Sequence, residues 1–224
     1  MKVKIKSITP EIEKTIVEIA RVSSKRKDKS EKPEGLINYL IKNNHWSPFE
    51  HGYITFEIET SKAIAIQLLR HVSFRFQEFS QRYAVVQGIE DIEFRKQAED
   101  NRQSSTEEIG AIKFEGSVVD EYFATPQQKE WMQKVSKNLL ENKDLYDEGL
   151  KLGIARECAR MILPMATSTT LFMTGSVRSW IHMFDVRDDP HAQKEIQIIA
   201  KELKHLFIKQ CPIISKARDF KQKS

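Results

Sequence analysis

The stretch from Tyr53 to Tyr83, YITFEIETSKAIAIQLLRHVSFRFQEFSQRY, decides the fold class and carries much of the chemistry. Tyr53, Thr55, Glu57 and Glu59 alternate with Ile54, Phe56 and Ile58, the period of a strand with one buried face. Residues 61–71 are more apolar than polar and predict a buried helix. A second strand is expected over Ser80–Val86. Working outward, residues 2–8 alternate apolar and charged like an edge strand. After Pro10, Ile12, Ile16, Ile19 and Ala20 fall at helical spacing. KRKDKSEKP (25–33) reads as a solvated loop, and a helix over 34–43 buries Leu36, Ile37, Leu40 and Ile41.

The C-terminal half is read as helices. Residues 90–108 are polar, with few core candidates. Thr125–Leu152 places Trp131, Val135, Leu139 and Leu140 on one face. GIARECARMILP continues in helix and stops at Pro164. Helices follow over 175–184 and from His191 to Gln210, the latter burying Ile196, Ile199, Ala200, Leu203 and Leu206. Strands early, helices late and no βαβ rhythm predict a mixed α+β domain over residues 1–212, with 213–224 a frayed tail.

Composition narrows the classes. The 224 residues are 40% hydrophobic and 30% charged, enough for a sizeable core, and 8 Gly with 7 Pro are too few for a fibrous chain. No apolar run approaches a membrane span, and the N-terminus has no apolar signal core. Two cysteines, Cys158 and Cys211, suit a reducing cytosol, so a cytoplasmic location is expected. The net charge of +4 permits an anionic ligand without naming one. The basic residues are scattered among acids with no nucleic-acid motif, so neither nucleic acid nor membrane is expected as a partner.

Phosphate-loop, dinucleotide and nucleophile-elbow fingerprints are absent, and so are clusters with metal-ligand spacing. His45 and His51 flank WSPFE without the further ligands a zinc site needs. What stands out is arginine and histidine in apolar elements. Gln67, Arg70 and His71 share one side of a helix among leucines, where an unpartnered guanidinium is costly. A carboxylate at a subunit interface or an anionic, planar ligand each satisfies it. Glu78, Ser80 and Arg82, spaced by two, point the same way if extended. The arginine and hydroxyl suit a phosphate, and the carboxylate suits a ring N–H or sugar hydroxyl. Arg156 with Arg160, Arg178 with His182, and Arg187 with His191 repeat the theme and point to a nucleotide.

Four ordered segments then carry a resemblance. RHVSFRFQEFSQRY (70–83) resembles the signature of flavin-dependent thymidylate synthases, the ThyX family. HWSPFEH (45–51), FRKQAEDNRQSS (94–105) and SVRSWIHMFDVRDDPHAQKEI (176–196) are similar to further family segments, and the likeness spans residues 12–212. The resemblance implies reductive methylation of dUMP to dTMP. Its carbon comes from 5,10-methylenetetrahydrofolate, FAD is the hydride carrier and NADPH the reductant. It also implies a ThyX-type mixed fold with a curved, largely antiparallel sheet, packed as a homotetramer with shared active sites.

Carried over by position, Gln67, Arg70, Glu78, Ser80, Arg82, Arg160 and Arg187 match nucleotide contacts, with Arg187 polarising the uracil ring. Ser47, Glu50, His71, Ser176, Arg178, His182 and His191 match flavin-side positions, and His45 matches a histidine near the flavin and folate that, with Arg187, is expected to be catalytic. Three positions depart from the signature. Val72 replaces its usual arginine, Arg75 its serine and Gln77 its asparagine. Arg75 is expected to reach back to the cofactor or to a neighbouring subunit, the alternative being that one FAD contact is absent, and His182 stands where asparagine is familiar. A catalytically altered nucleotide binder on the same fold is the alternative.

Overall fold

The expected strand at Tyr53 is present and runs to Ser61, paired antiparallel along its whole length with Ser168–Ser176. The computed structural model describes residues 1–23, 33–114, 118–121 and 123–220. In chain order the strands are β1 (Lys2–Ile8), β2 (Tyr53–Ser61), β3 (Arg75–Glu78), β4 (Ile92–Gln97), β5 (Ser105–Lys113), β6 (Val118–Glu121) and β7 (Ser168–Ser176). The helices are α1 (Ile12–Ala20), α2 (Pro33–Lys42), α3 (Lys62–Leu69), α4 (Pro126–Lys151), α5 (Arg156–Ala159), α6 (Val177–Arg187), α7 (Lys194–Gln210) and α8 (Pro212–Ala217).

The main sheet has the order β1-β2-β7-β3, all antiparallel. Ile54, Phe56 and Ile58 share the inner face with Leu171 and Met173 and are fully buried, because residues two apart on paired strands point the same way. Trp180 of α6 fills the centre, edge-on to Phe56 at 4.8 Å and to Phe74 at 4.6 Å, its indole N–H donating to the Ile54 carbonyl at 3.1 Å. Burying rings of this kind, each worth about 1.5–3 kcal/mol, outweighs what the surface ion pairs supply. Gly175 makes room for the segment leading into β3, since a Cβ there would lie 2.4 Å from the Phe74 ring. That contact sets the path of residues 70–75 over α6.

The mixed α+β class stands, but the one curved sheet does not. The strands form two separate open sheets, the second with the order β4-β5-β6. The homotetramer expected with it finds no support in this single chain. The polar stretch 90–108 supplies β4 and the start of β5, whose later residues Ile109, Ala111 and Ile112 are buried. No strand forms over Ser80–Val86. Ser80 instead accepts the amides of Tyr83 and Ala84, so the chain turns. Helix does not run through to Pro164 either, because α4 ends at Lys151 and Gly153 takes a φ of 83° that favours glycine.

On α4 the buried side chains are Met132, Leu139 and Tyr146, while Trp131 lies half exposed against Phe94. The tail is ordered further than expected. Ile214 of α8 is fully buried, and Phe220 packs on the core. Glu13 accepts the Ile214 amide at 2.7 Å at the start of that helix. Most of the loop expected over 25–33 lies outside the described residues. Among the described residues, no helix is long and apolar enough to cross a membrane.

Candidate active site

The seam where residues 70–75 lie along α6 gathers one group of candidates. Ser176 caps α6 by accepting the Ser179 amide at 3.2 Å and donates its hydroxyl to Glu50 at 2.6 Å. The other Glu50 oxygen accepts from Arg178 at 3.0 Å. Both side chains are about half exposed, so the pair contributes little stability and leaves the guanidinium open to a ligand. A cavity of about 430 Å³ lies alongside, walled by Trp46, Glu50, Ser73, Arg178, His182 and Asp185. It falls within the size range of small-molecule sites. An indole wall with guanidinium and imidazole donors suits a ring-bearing, anionic cofactor.

Further along the seam Arg187, the last residue of α6, donates Nε–H to Nε2 of His71 at 2.9 Å and a terminal N–H to the Gln67 carbonyl at 3.3 Å. His71 is therefore the Nδ1–H tautomer. Its pKa is pushed down to about 4, first by burial, then by the charge of Arg187 and by His182. Burial, followed by the Arg70 charge, lowers the Arg187 pKa as well. Among the described residues, no carboxylate lies in ion-pair range of Arg187 or Arg70. Two neighbouring guanidinia without a carboxylate make a ready anion or carbonyl grip.

The second group lies beyond the other end of β3. That strand has four residues, about 10 Å from its first Cα to its last at roughly 3.3 Å per residue. Ser80 and Arg82 line a cavity of about 490 Å³ with Tyr83, Ala155, Arg156 and Glu157. Arg82 meets Glu157 at 3.1 Å in an exposed pair. One helical turn on from Arg156, the Nε of Arg160 is buried without a hydrogen-bond partner. A buried, unpaired guanidinium nitrogen is costly, and an anion approaching the arginine offsets that cost.

Other candidates behave differently. Glu78 is occupied, both oxygens accepting from Lys62 at 2.7 Å and one also from Thr169 at 3.0 Å. His45 is exposed, edge-on to Tyr39 at 5.7 Å, and Ser47 is exposed at the start of a 3₁₀ turn. His191 is 80% exposed and bonds Asp189 at 2.8 Å. Arg75 does not reach a seam side chain. Its guanidinium turns back onto the Phe74 carbonyl at 3.2 Å. Sequence reasoning missed Trp46, Ser73 and Lys62. Trp46 adjoins His45 and Ser47, and Ser73 lies two residues from both His71 and Arg75, but nothing in the sequence marks Lys62 as the partner of Glu78.

A family model described as "Thymidylate synthase complementing protein" matches residues 4–213. The chain belongs to the flavin-dependent thymidylate synthase family. It is 40% identical over 210 residues to a "Probable flavin-dependent thymidylate synthase" of Paramecium bursaria Chlorella virus 1, covering 93% of this chain and 91% of that one. With the "Flavin-dependent thymidylate synthase" of Synechocystis sp. (strain ATCC 27184 / PCC 6803 / Kazusa) it shares 42% over 202 residues, 90% and 86% of the two chains. A third relative, from Thermosipho africanus (strain TCF52B), is 35% identical over 201 residues, 88% and 81% of the two. As a family member, the chain has its arginine-rich seam in α6 and the segment that resembles the ThyX signature.

Proposed function

We propose that this chain is a flavin-dependent thymidylate synthase. In this reading it methylates dUMP to dTMP in the cytoplasm, with 5,10-methylenetetrahydrofolate as carbon donor and NADPH as reductant. The observation that carries the reading is Arg187, half buried against a neutral His71 and beside Arg70, with no carboxylate in range among the described residues. FAD, when bound, supplies the hydride and electron transfer.

The protein's share is grip and charge. Arg187 offers N–H donors to a uracil carbonyl, where negative charge develops, and His71 holds the guanidinium in place as an acceptor. Gln67 and Arg70 extend that nucleotide contact, while Ser80, Arg82 and Arg160 supply donors for the phosphate. Glu78, tied to Lys62 and Thr169, serves by fixing the end of β3 just before Ser80. The cavity at Arg178 and His182 fits the flavin, with Glu50 and Ser176 orienting Arg178. Ser47, His45, Arg75 and His191 are assigned to the flavin and folate in the same reading by their positions in the family segments. The nucleotide groups of this reading sit at opposite ends of β3.

A nucleotide binder without the redox step is the second reading. It is favoured by Val72, 90% exposed and offering no donor, and by Arg75 turned back on its own strand. Assay of dTMP formation with and without FAD, together with flavin binding, separates the two. Arg187→Ala should lower kcat by about a hundredfold or more while flavin binding persists. An unchanged kcat would remove Arg187 from the chemistry.

A further inference from the structure

We propose that Arg95, on the small sheet, is a positioning residue for Gln67, setting the orientation of the Gln67 amide through Glu195 and Gln193. The inference rests on the reading of Gln67 as a nucleotide contact. Arg95 of β4 is only 10% exposed. It donates to Glu93 on its own strand and to Glu195 of α7, and its Nε–H to Ser105 at 3.0 Å. A carboxylate–guanidinium–carboxylate set withdrawn from water is a poor source of net stability. What it does supply is a fixed acceptor.

From there each step has one sense. The Glu195 carboxylate, bound by Arg95, can only accept, and it takes an N–H from the Gln193 side chain at 2.8 Å. That turns the Gln193 carbonyl oxygen toward Gln67, whose amide nitrogen donates to it at 2.5 Å. The two ends of an amide have the same shape, so only the polarity of its partners fixes which end faces where. Gln67 is left with its carbonyl oxygen to offer, an acceptor for a ring N–H or a sugar hydroxyl. Its backbone oxygen is already engaged by Arg187. The small sheet, which carries none of the nucleotide candidates, thus reaches the nucleotide group through four side chains.

Glu195→Gln tests this with nearly unchanged shape, because an amide at 195 can donate and lets Gln193 turn round. dUMP affinity by calorimetry, steady-state kinetics and melting temperature are compared for the native chain, Gln67→Ala, Glu195→Gln and the double variant. The expected result is dUMP binding weakened about tenfold in Glu195→Gln, kcat at saturation kept, and a double variant no weaker than Gln67→Ala. Arg95→Lys should show the same pattern, since one ammonium cannot bridge both carboxylates in the same fork. Losses that add in the double variant, or a lower melting temperature with unchanged dUMP affinity, would overturn the proposal. If Gln67→Ala binds dUMP normally, the nucleotide role of Gln67 fails and the inference falls with it.

Discussion

Arg187 and His71 hold each other in one protonation pattern. The Nε–H of the arginine lies 2.9 Å from Nε2 of the imidazole, a bond that a protonated ring cannot accept. With the folded pKa near 4 and an ordinary value near 6.5, the unfolded chain takes up the proton first as pH falls. The stability from this group is fully present above about pH 6.5 and is lost as pH drops through 4. A histidine NMR titration should place His71 near 4. His71→Asn should flatten the fall in melting temperature between pH 6.5 and 4.

Gly175 faces Phe74 where no side chain fits. The ring cannot retreat freely because Trp180 stands edge-on at 4.6 Å. Gly175→Ala is expected to cost about 1–3 kcal/mol, read as a lower melting temperature, and to disturb residues 70–75. A Val177→Ala variant, also buried but on α6 itself, should lose stability with less change in nucleotide affinity.

Ser176 joins the cap of α6 to the orientation of Arg178 through Glu50. Ser176→Ala should cost about 1 kcal/mol in unfolding experiments. It should also weaken flavin binding severalfold, measured by fluorescence quenching. Ser176→Thr, which keeps the hydroxyl, should recover most of both.

Arg82 and Arg187 lie in different groups at opposite ends of β3. If each dUMP is held by one group from each of two copies, co-expressed Arg82→Ala and Arg187→Ala chains should regain activity that neither has alone. Mixed preparations that stay inactive would show that both arginines must belong to the same chain.

Several elements were legible because local pattern and tertiary role agree. The alternation at Tyr53–Ile58 became β2 with Ile54, Phe56 and Ile58 buried, and Ile196, Ile199, Ala200 and Leu203 became the inner face of α7. The central strand β7 was not read, although Leu171 and Met173 alternate with Thr170, Phe172 and Thr174. Its neighbours MILPMA and the SVRSW helix start blur both ends of the pattern.

Gln67, His71 and Arg187 lie together, a contact their separate segments did not announce, and it forms although α3 ends at Leu69, with Gln67 meeting Arg187 through its backbone. The same-side reading of Glu78, Ser80 and Arg82 assumed extended chain, and the Ser80–Tyr83 turn broke it. Lys62 drawing Glu78 away is a long-range contact that spacing does not encode.

Flavin-dependent thymidylate synthesis by this chain is tested by dTMP formation with the purified protein. The assay holds dUMP, 5,10-methylenetetrahydrofolate and NADPH under anaerobic conditions, with FAD added or withheld, while flavin absorbance is followed. Bound flavin should bleach with NADPH, and dTMP should appear only when FAD and the folate are both present. A chain that binds dUMP yet takes up no FAD and forms no dTMP would contradict that function, and would leave a nucleotide binder on this family's fold.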